Sequence, residues 1–414
     1  MSTTETEAPA APPPPPAPPA PRPAPVSFWR STAVPSLLSV LMALVVGAVL
    51  IAVSDEQVRA ASSYFFARPG DTLAAVWTSV TEAYAALLRG SLLDWRADSA
   101  LGWIRPLGNT LLNATPLIAG GLAVALPFRA GMFNIGAEGQ ITVAAILAAY
   151  VGFALQLPVG VHLVLAVLAG LLGGMLWGAI PGVLKATTGA HEVITTIMLN
   201  YVARYLILFL LGTVYFQREG RSDPISPPVA DTAQIPVLVP GGALGRLHWG
   251  LVLALAAAAV AWWLINRSTV GFRLRAVGAN PEAARTAGMS VPRTYVTVMA
   301  LAGGFAAIAG ISQALGTQRE LTTGISAGLG FDAITVALLG RANPLGVVGA
   351  GILFGALRAG GLTMQAQTGT SLDIVVVLQA LIVLFIAAPA LISAIFRLRT
   401  TGAGVGQLSK GWNG

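Results

Sequence analysis

The stretch Gly271-Phe-Arg-Leu-Arg-Ala-Val-Gly-Ala-Asn-Pro-Glu-Ala-Ala-Arg-Thr-Ala-Gly288 is a basic, hydrophilic island between two long apolar segments. Its second half has the ends of a short helix written into it. Asn280 supplies an N-cap acceptor, and Pro281 suits the first helical position, where its missing N–H would find no partner anyway. Glu282 favours the positive N-terminal dipole, Ala283, Ala284 and Arg285 fill the body, and Gly288 fits the left-handed position past the end. A chain that leaves apolar sequence for one capped helix of about two turns, then returns to it, reads as a membrane protein with a docking element. The competing reading is a plain basic loop obeying membrane topology.

Composition supports the membrane. Of 414 residues, 55% are hydrophobic and only 10% charged, where a soluble domain carries about 25% charge. The 47 glycines suit close helix packing in lipid. With no cysteine, disulfides, thiol catalysis and cysteine metal sites are excluded. His162, His191 and His248 have no ligand spacing, so neither a metal nor a cofactor is called for. The net charge of +7 could suggest nucleic acid, but the arginines sit mostly at the ends of apolar runs, where topology explains them. The two lysines, Lys185 and Lys410, are followed by Ala and Gly and cannot complete a phosphate-binding GxxxxGK[ST] loop. If ATP drives this protein, another chain binds it.

Residues 1–33 are Pro/Ala-rich and read as a disordered cytoplasmic tail, with proline-tract docking as the alternative. They lack the arrangement of a cleavable signal peptide. Residues 34–396 form the membrane domain, with the polar loop at 267–292, and 397–414 form a second cytoplasmic tail. Ten spans are expected, near 34–53, 106–127, 138–156, 161–184, 192–213, 248–266, 293–315, 325–340, 344–360 and 372–396. The amphipathic stretch Leu73–Leu88 should lie along the outer surface. Arg267, Arg273, Arg275, Arg285 and Arg293 share one loop, and Arg129, Lys185, Arg341, Arg397 and Arg399 fall on the same side. That side should be cytoplasmic, with both termini inside a multi-pass protein of the cell membrane. Arg204 fits poorly: it either pairs with an acid inside the bundle or marks a misplaced span.

The halves echo each other. Ile141-Thr-Val-Ala144 matches Ile334-Thr-Val-Ala337, Trp177–Ala186 parallels Ala350–Ala359, and the run from Glu192 parallels that from Asp373. Lys185 should be cytoplasmic and Arg358 external, so the copies are inverted. The expected fold is all-α, ten transmembrane helices in two inverted five-helix halves, with a pathway between them.

Three motifs carry polar groups at membrane depth. Phe133-Asn-Ile-Gly-Ala-Glu-Gly-Gln140 is a Gly-broken helix entry holding Asn134, Glu138 and Gln140. Such groups either face a wet pathway or only cap and tie helices. In His191-Glu-Val-Ile-Thr-Thr-Ile-Met-Leu-Asn-Tyr201, Glu192, Thr196 and Asn200 fall on one face, as pathway lining or as a hydrogen-bonded seam. In Gly328-Leu-Gly-Phe-Asp-Ala-Ile-Thr-Val-Ala-Leu-Leu-Gly-Arg-Ala-Asn-Pro-Leu-Gly346, Asp332 and Arg341 bracket a short span, as part of the pathway or as interface anchors.

These motifs, the stretch 109–140 and the 271–288 island together resemble the permeases of ABC importers, in the branch serving branched-chain amino acids, ribose and nucleosides. The likeness covers about 105–395 and is sharpest for nucleoside uptake. It implies a permease without catalytic residues. Its partners would be ATP-binding cassette subunits, whose groove takes the 280–288 helix, a second permease, an extracytoplasmic solute-binding protein and membrane lipid, but no nucleic acid. It implies uptake of a small polar solute, preferably a nucleoside; a sugar or branched-chain amino acid is the alternative cargo. The rivals are an ion-gradient-driven carrier using Glu138, Glu192, Asp332 and Asp373, and a membrane enzyme or receptor, for which the chain has no large soluble domain.

Overall fold

The computed structural model describes residues 33–388, apart from 241 and 243. The tails, residues 389–396 of the last span, and Arg397 and Arg399 lie outside the described residues. The described chain is all-helical. In order come α1 (Ala33–Ser54), α2 (Glu56–Ser62), α3 (Pro69–Ser91), α4 (Ala100–Arg129), α5 (Ala137–Ala154), α6 (Val161–Thr188) and α7 (Glu192–Leu211). After a long loop follow α8 (Gly250–Arg267), α9 (Thr269–Ala279), α10 (Pro281–Thr286), α11 (Val291–Ile311), α12 (Leu329–Leu339), α13 (Pro344–Thr368) and α14 (Leu372–Ala387).

Among the described residues, seven helices are long and apolar enough to cross a membrane: α4 to α8, α13, and α11 together with the π-helical turn Ser312–Thr317 that continues it. The α1–α2 pair, bent by 73°, makes an eighth, and two shorter apolar helices, residues 329–339 and 372–386, complete ten apolar elements. The expected eighth span, 325–340, is therefore too long. Only 11 residues of it are helical, about 16 Å of rise and half the bilayer core. Gly328 at φ +75° turns the chain into that helix. The ninth span in turn runs on to Thr368. Leu73–Leu88 is helical within α3, whose Ala83, Ala86, Leu87 and Gly90 are buried. Leu87 and Gly90 meet Gly360 and Thr363 near the end of α13.

The halves are interleaved. Helix α4 packs on α13 and α11 on α6, while α5 lies against α11 and α12 against α4. Each half thus lends its helices to the other in the same pattern. The contacts are backbone-close: a Cβ on Gly303 of α11 would stand 2.0 Å from the Gly174 carbonyl oxygen of α6. A Cβ on Gly355 of α13 would stand 2.6 Å from the Thr110 carbonyl oxygen of α4. Helices α6 and α13 end alike. A threonine hydroxyl, Thr188 or Thr368, donates to the carbonyl four residues back. A left-handed glycine follows, Gly189 at φ +70° or Gly369 at φ +69°. This common end shifts the register of the middle repeat by about two turns, pairing Thr188 with Thr368 instead of Trp177 with Ala350. Arg358 lies within α13, which continues ten residues beyond it, so it stands about three turns short of the helix end rather than beside the end of a span closing at 360.

The basic loops meet at one end of the bundle. Gly131 abuts Gly278 of α9, Arg129 donates to the Ala342 carbonyl, and Lys185 lies 5.3 Å from the Tyr295 ring centroid. At the other end, residues 212–249 hook onto the segment after α11 and onto the end of α5. Val229 donates to the Arg319 carbonyl, Ile235 to that of Leu315 and Ala230 to that of Gly152.

Candidate functional site

The 133–140 motif is the turn between α4 and α5, and one face of α7 holds it. Glu192, Thr196 and Asn200, four residues apart, are buried in a row along that face. Glu192 accepts the Phe133 amide proton at 3.4 Å and pairs with Lys185 Nζ at 2.6 Å. Thr196 returns its hydroxyl to the Glu192 carbonyl and lies so close to Gly136 that a Cβ there would meet its own Cβ at 3.0 Å. Asn200 spans the turn, accepting from Gly139 N–H and donating to the Ile135 carbonyl, both at 2.9 Å.

Inside the turn the two amides face each other. Asn134 Nδ2 donates to Gln140 Oε1 at 2.9 Å and to the Ala123 carbonyl at 3.1 Å. Asn134 Oδ1 accepts from Gln140 Nε2 and from Gly136 N–H. Both residues are 1% exposed, so their hydrogen bonds are spent on protein, as buried amides require.

Glu138 leaves this cluster and reaches the other half. Its carboxylate accepts Gly328 N–H at 3.0 Å and Gly330 N–H at 2.6 Å. It therefore occupies the N-terminus of α12, where free amides and the helix dipole favour negative charge. Only glycine fits at 330: a Cβ there would stand 2.2 Å from the Glu138 backbone nitrogen. One turn on, Asp332 is ion-paired with Arg358 of α13. The structure thus brings Asn134, Glu138, Gln140, Glu192, Thr196 and Asn200 into one constellation at the half-to-half contact and ties it through α12 to Asp332.

The 280–288 element is also formed. Asn280 Oδ1 accepts from Glu282 and Ala283 N–H, both at 3.0 Å. Pro281 opens α10, Arg285 bridges to Glu282 at 3.1 Å, and Gly288 takes φ +81°. Ala283, Arg285 and Ala287 are exposed. Ala284 is not: it is buried against Val277 and Val291. Its small side chain lets α10 sit on its own chain, so it does not face a partner groove. A cleft of about 420 Å³ beside α10 has Arg273 and Arg293 among its walls.

Sequence reasoning missed several participants. Lys185 and Arg358 looked like topology markers but are counter-ions. Gly328 and Gly330 are the partners of Glu138, and the Gly-Leu-Gly spacing before α12 was the available signal. Arg204 fits neither expectation: α7 is unbroken from 192 to 211, and Arg204 is exposed beside the exposed Tyr201 and Tyr205. His248, at the far end, is buried with Nδ1 accepting Gly250 N–H and Nε2 against Thr317 Oγ1. Burial, with Arg319 and Arg246 nearby, pushes its pKa down to about 4.

An all-helical bundle with a capped polar helix at one end and a clamped polar turn close to it, at the contact between the halves, has the architecture of a membrane transport subunit. The chain belongs to the permease-component family of branched-chain amino acid transport systems, whose model matches residues 107–387. It is 40% identical to the guanosine ABC transporter permease protein NupP of Bacillus subtilis over 78% of this chain and 91% of that one. It is 39% identical to the glucose ABC transporter permease protein TsgB13 of Haloferax volcanii, over 68% of this chain and 75% of that one. It is 34% identical to the nucleoside ABC transporter permease protein NupB of Lactococcus lactis, over 71% of this chain and 82% of that one. No solved structure matches. The chain is a transporter subunit of the ABC permease type, not an enzyme, and the ion-gradient carrier falls away with this membership.

Proposed function

We propose that this permease imports a nucleoside, most closely a purine nucleoside, using ATP hydrolysed on separate ATP-binding cassette subunits. The observation that carries the reading is the 40% identity to a guanosine permease over nearly its whole length. Helix α10 docks into the ATPase through its exposed Glu282, Ala283, Arg285 and Ala287. Ala284 transmits the push to α9 and α11, and Gly278 passes it to the Ala130–Gly131 turn. That turn leads directly into the Asn134–Gln140 cluster, which Glu138 links to α12. Movement at α10 therefore reaches both halves at their contact, where the pathway opens alternately to each side. Switching requires the solute and ATP to favour different states. Asn134, Glu138, Gln140, Glu192, Thr196, Asn200 and Asp332 form the hinge of this pathway, and solute passes beside them.

The α10 end is cytoplasmic, with both termini inside, because basic residues gather there. A second permease covers α6 and α7. Only 28% and 22% of their apolar windows are buried, against 78% for α4, and Arg204 on that face needs company in a membrane. Bacillus subtilis and Lactococcus lactis each have a second nucleoside-type permease similar to this chain, NupQ and NupC. An extracytoplasmic binding protein delivers the solute at the opposite end.

The test is uptake by proteoliposomes holding the assembled transporter. ATP-dependent accumulation of labelled guanosine is expected. Accumulation of glucose in its place would redirect the substrate reading to the sugar branch that TsgB13 represents.

A further inference from the structure

A second site lies at the end of the bundle opposite α10, and most of it is outside the region that matches the family. The last turns of α3, the 94–96 loop and the end of α13 border an open cleft of about 560 Å³, whose walls include Glu82, Arg89, Asp94, Arg96, Gln367 and Thr368. Arg89 is the unusual member. It is only 5% exposed, yet among the described residues no carboxylate lies within ion-pair distance of it. Its Nε donates a long bond to the Ala85 carbonyl at 3.3 Å, and its guanidinium lies 5.8 Å from the Trp95 ring centroid. A buried charge without a counter-ion is costly. Its remaining donors suit a bidentate anion such as phosphate.

The rim adds the opposite charge. Glu82 is exposed, Asp94 accepts the Arg96 amide proton with one oxygen, and among the described residues neither carboxylate has an ion-pair partner. Arg89 and Arg96 against Glu82 and Asp94 give a cleft of zero net charge that carries both signs, which fits a zwitterion better than a simple anion. Outside it, Leu88, Leu92, Leu93, Trp95 and Trp103 are exposed, the apolar and tryptophan surface that membrane interfaces favour.

We propose that this cleft holds the headgroup of a phospholipid with a phosphate and a primary ammonium, as in phosphatidylethanolamine. Arg89 takes the phosphate, Glu82 and Asp94 take the ammonium, and the acyl chains lie along Leu92, Leu93 and Trp95. A primary ammonium can donate hydrogen bonds to both carboxylates; a choline group cannot. The occupant is thus set by its headgroup, and nothing here depends on the transported solute.

The test is native mass spectrometry of the purified full chain with POPE, POPC or POPG. One POPE should be retained about tenfold better than POPC, whose three N-methyl groups replace the ammonium hydrogens that the carboxylates would accept. Glu82→Gln with Asp94→Asn should bring POPE down to within about twofold of POPC. Arg89→Gln should weaken all three lipids; if it does not purify as a folded species, the carboxylate variant decides alone. Sodium phosphate at tens of millimolar should leave POPE bound. Equal retention of POPE and POPC by the unmodified chain, an undiminished preference in the carboxylate variant, or displacement by free phosphate would each overturn the assignment.

Discussion

Glu138 and Gly330 join the two halves of this permease: a carboxylate oxygen of the first half accepts the Gly330 amide proton at 2.6 Å, at the start of a helix of the second. Glu138→Gln keeps one acceptor but places an NH₂ group against an N–H donor. Loss of a charged hydrogen bond in a part-buried site costs about 1.5–3 kcal/mol. The variant should unfold at lower temperature in detergent and import more slowly, with Glu138→Ala worse. Gly330→Ala should be the most damaging of the three, because its Cβ has no room beside the Glu138 nitrogen. Unchanged unfolding temperature and uptake in all three would remove Glu138 from the hinge.

The α10 residues separate by exposure. Arg285 is exposed and, among the described residues, its ion-pair partner is Glu282 alone, so Arg285→Glu should leave the fold intact and weaken coupling to the ATPase, read as less solute-stimulated ATP hydrolysis at normal expression. Ala284→Trp should act differently. With Ala284 packed against Val277 and Val291, overpacking costs about 1–3 kcal/mol, and the loop itself should lose protection from proteolysis. A Trp variant with native protease resistance would return Ala284 to the partner surface.

His248 gives the far end a pH response. Its folded pKa is about 4 against an ordinary 6.5, from burial first and then Arg319 and Arg246. The unfolded state therefore binds more protons between those values. His248 adds no penalty above about pH 6.5, and stability is lost as pH falls from there towards 4. Unfolding temperature measured across this window should fall faster for the native chain than for His248→Gln. Parallel curves would mean that His248 is not the sensitive group.

Orientation can be read with single cysteines, since the chain has none of its own. Cysteine at Ser222, exposed at the far end, should react with an impermeant thiol reagent from outside. Cysteine at Thr286 on α10 should react only after the membrane is opened. Outside labelling at 286 would reverse the proposed topology.

How much was legible depended on whether a signal was local. The α10 cap was, because Asn280, Pro281 and Gly288 each set a backbone position by their own chemistry. The seam of Glu192, Thr196 and Asn200 was too, since helical spacing alone puts them on one face. Their partners were not. Nothing near Glu138 in the chain says that it will cap a helix 190 residues away, and α12 looked like a longer span because Ile325 and Ala327 extend its apolar run on the N-terminal side. The middle repeat slipped by two turns because Ala, Gly and Leu match in many registers, whereas the Thr-Gly helix ends fix one. Arg204 was legible as anomalous but not as outward-facing.

The Lys185–Glu192 pair decides whether the 133–140 turn is held by charge or merely by shape. Glu192 is 7% exposed at its side chain and Lys185 23%. Lys185→Met would strand a buried carboxylate, a change that costs about 3–5 kcal/mol where a buried pair loses one partner. Glu192→Gln would leave the lysine, which is the more exposed of the two, better able to find water, and would still offer an oxygen to Phe133 N–H. Lys185→Met should therefore be the more destabilising single change, and adding Glu192→Gln to it should restore part of the unfolding temperature. Uptake should not recover with it, because the double variant lacks the charge that draws the end of α6 onto the turn. If the double variant is as unstable as the sum of the singles, the two side chains act independently and shape alone holds the turn.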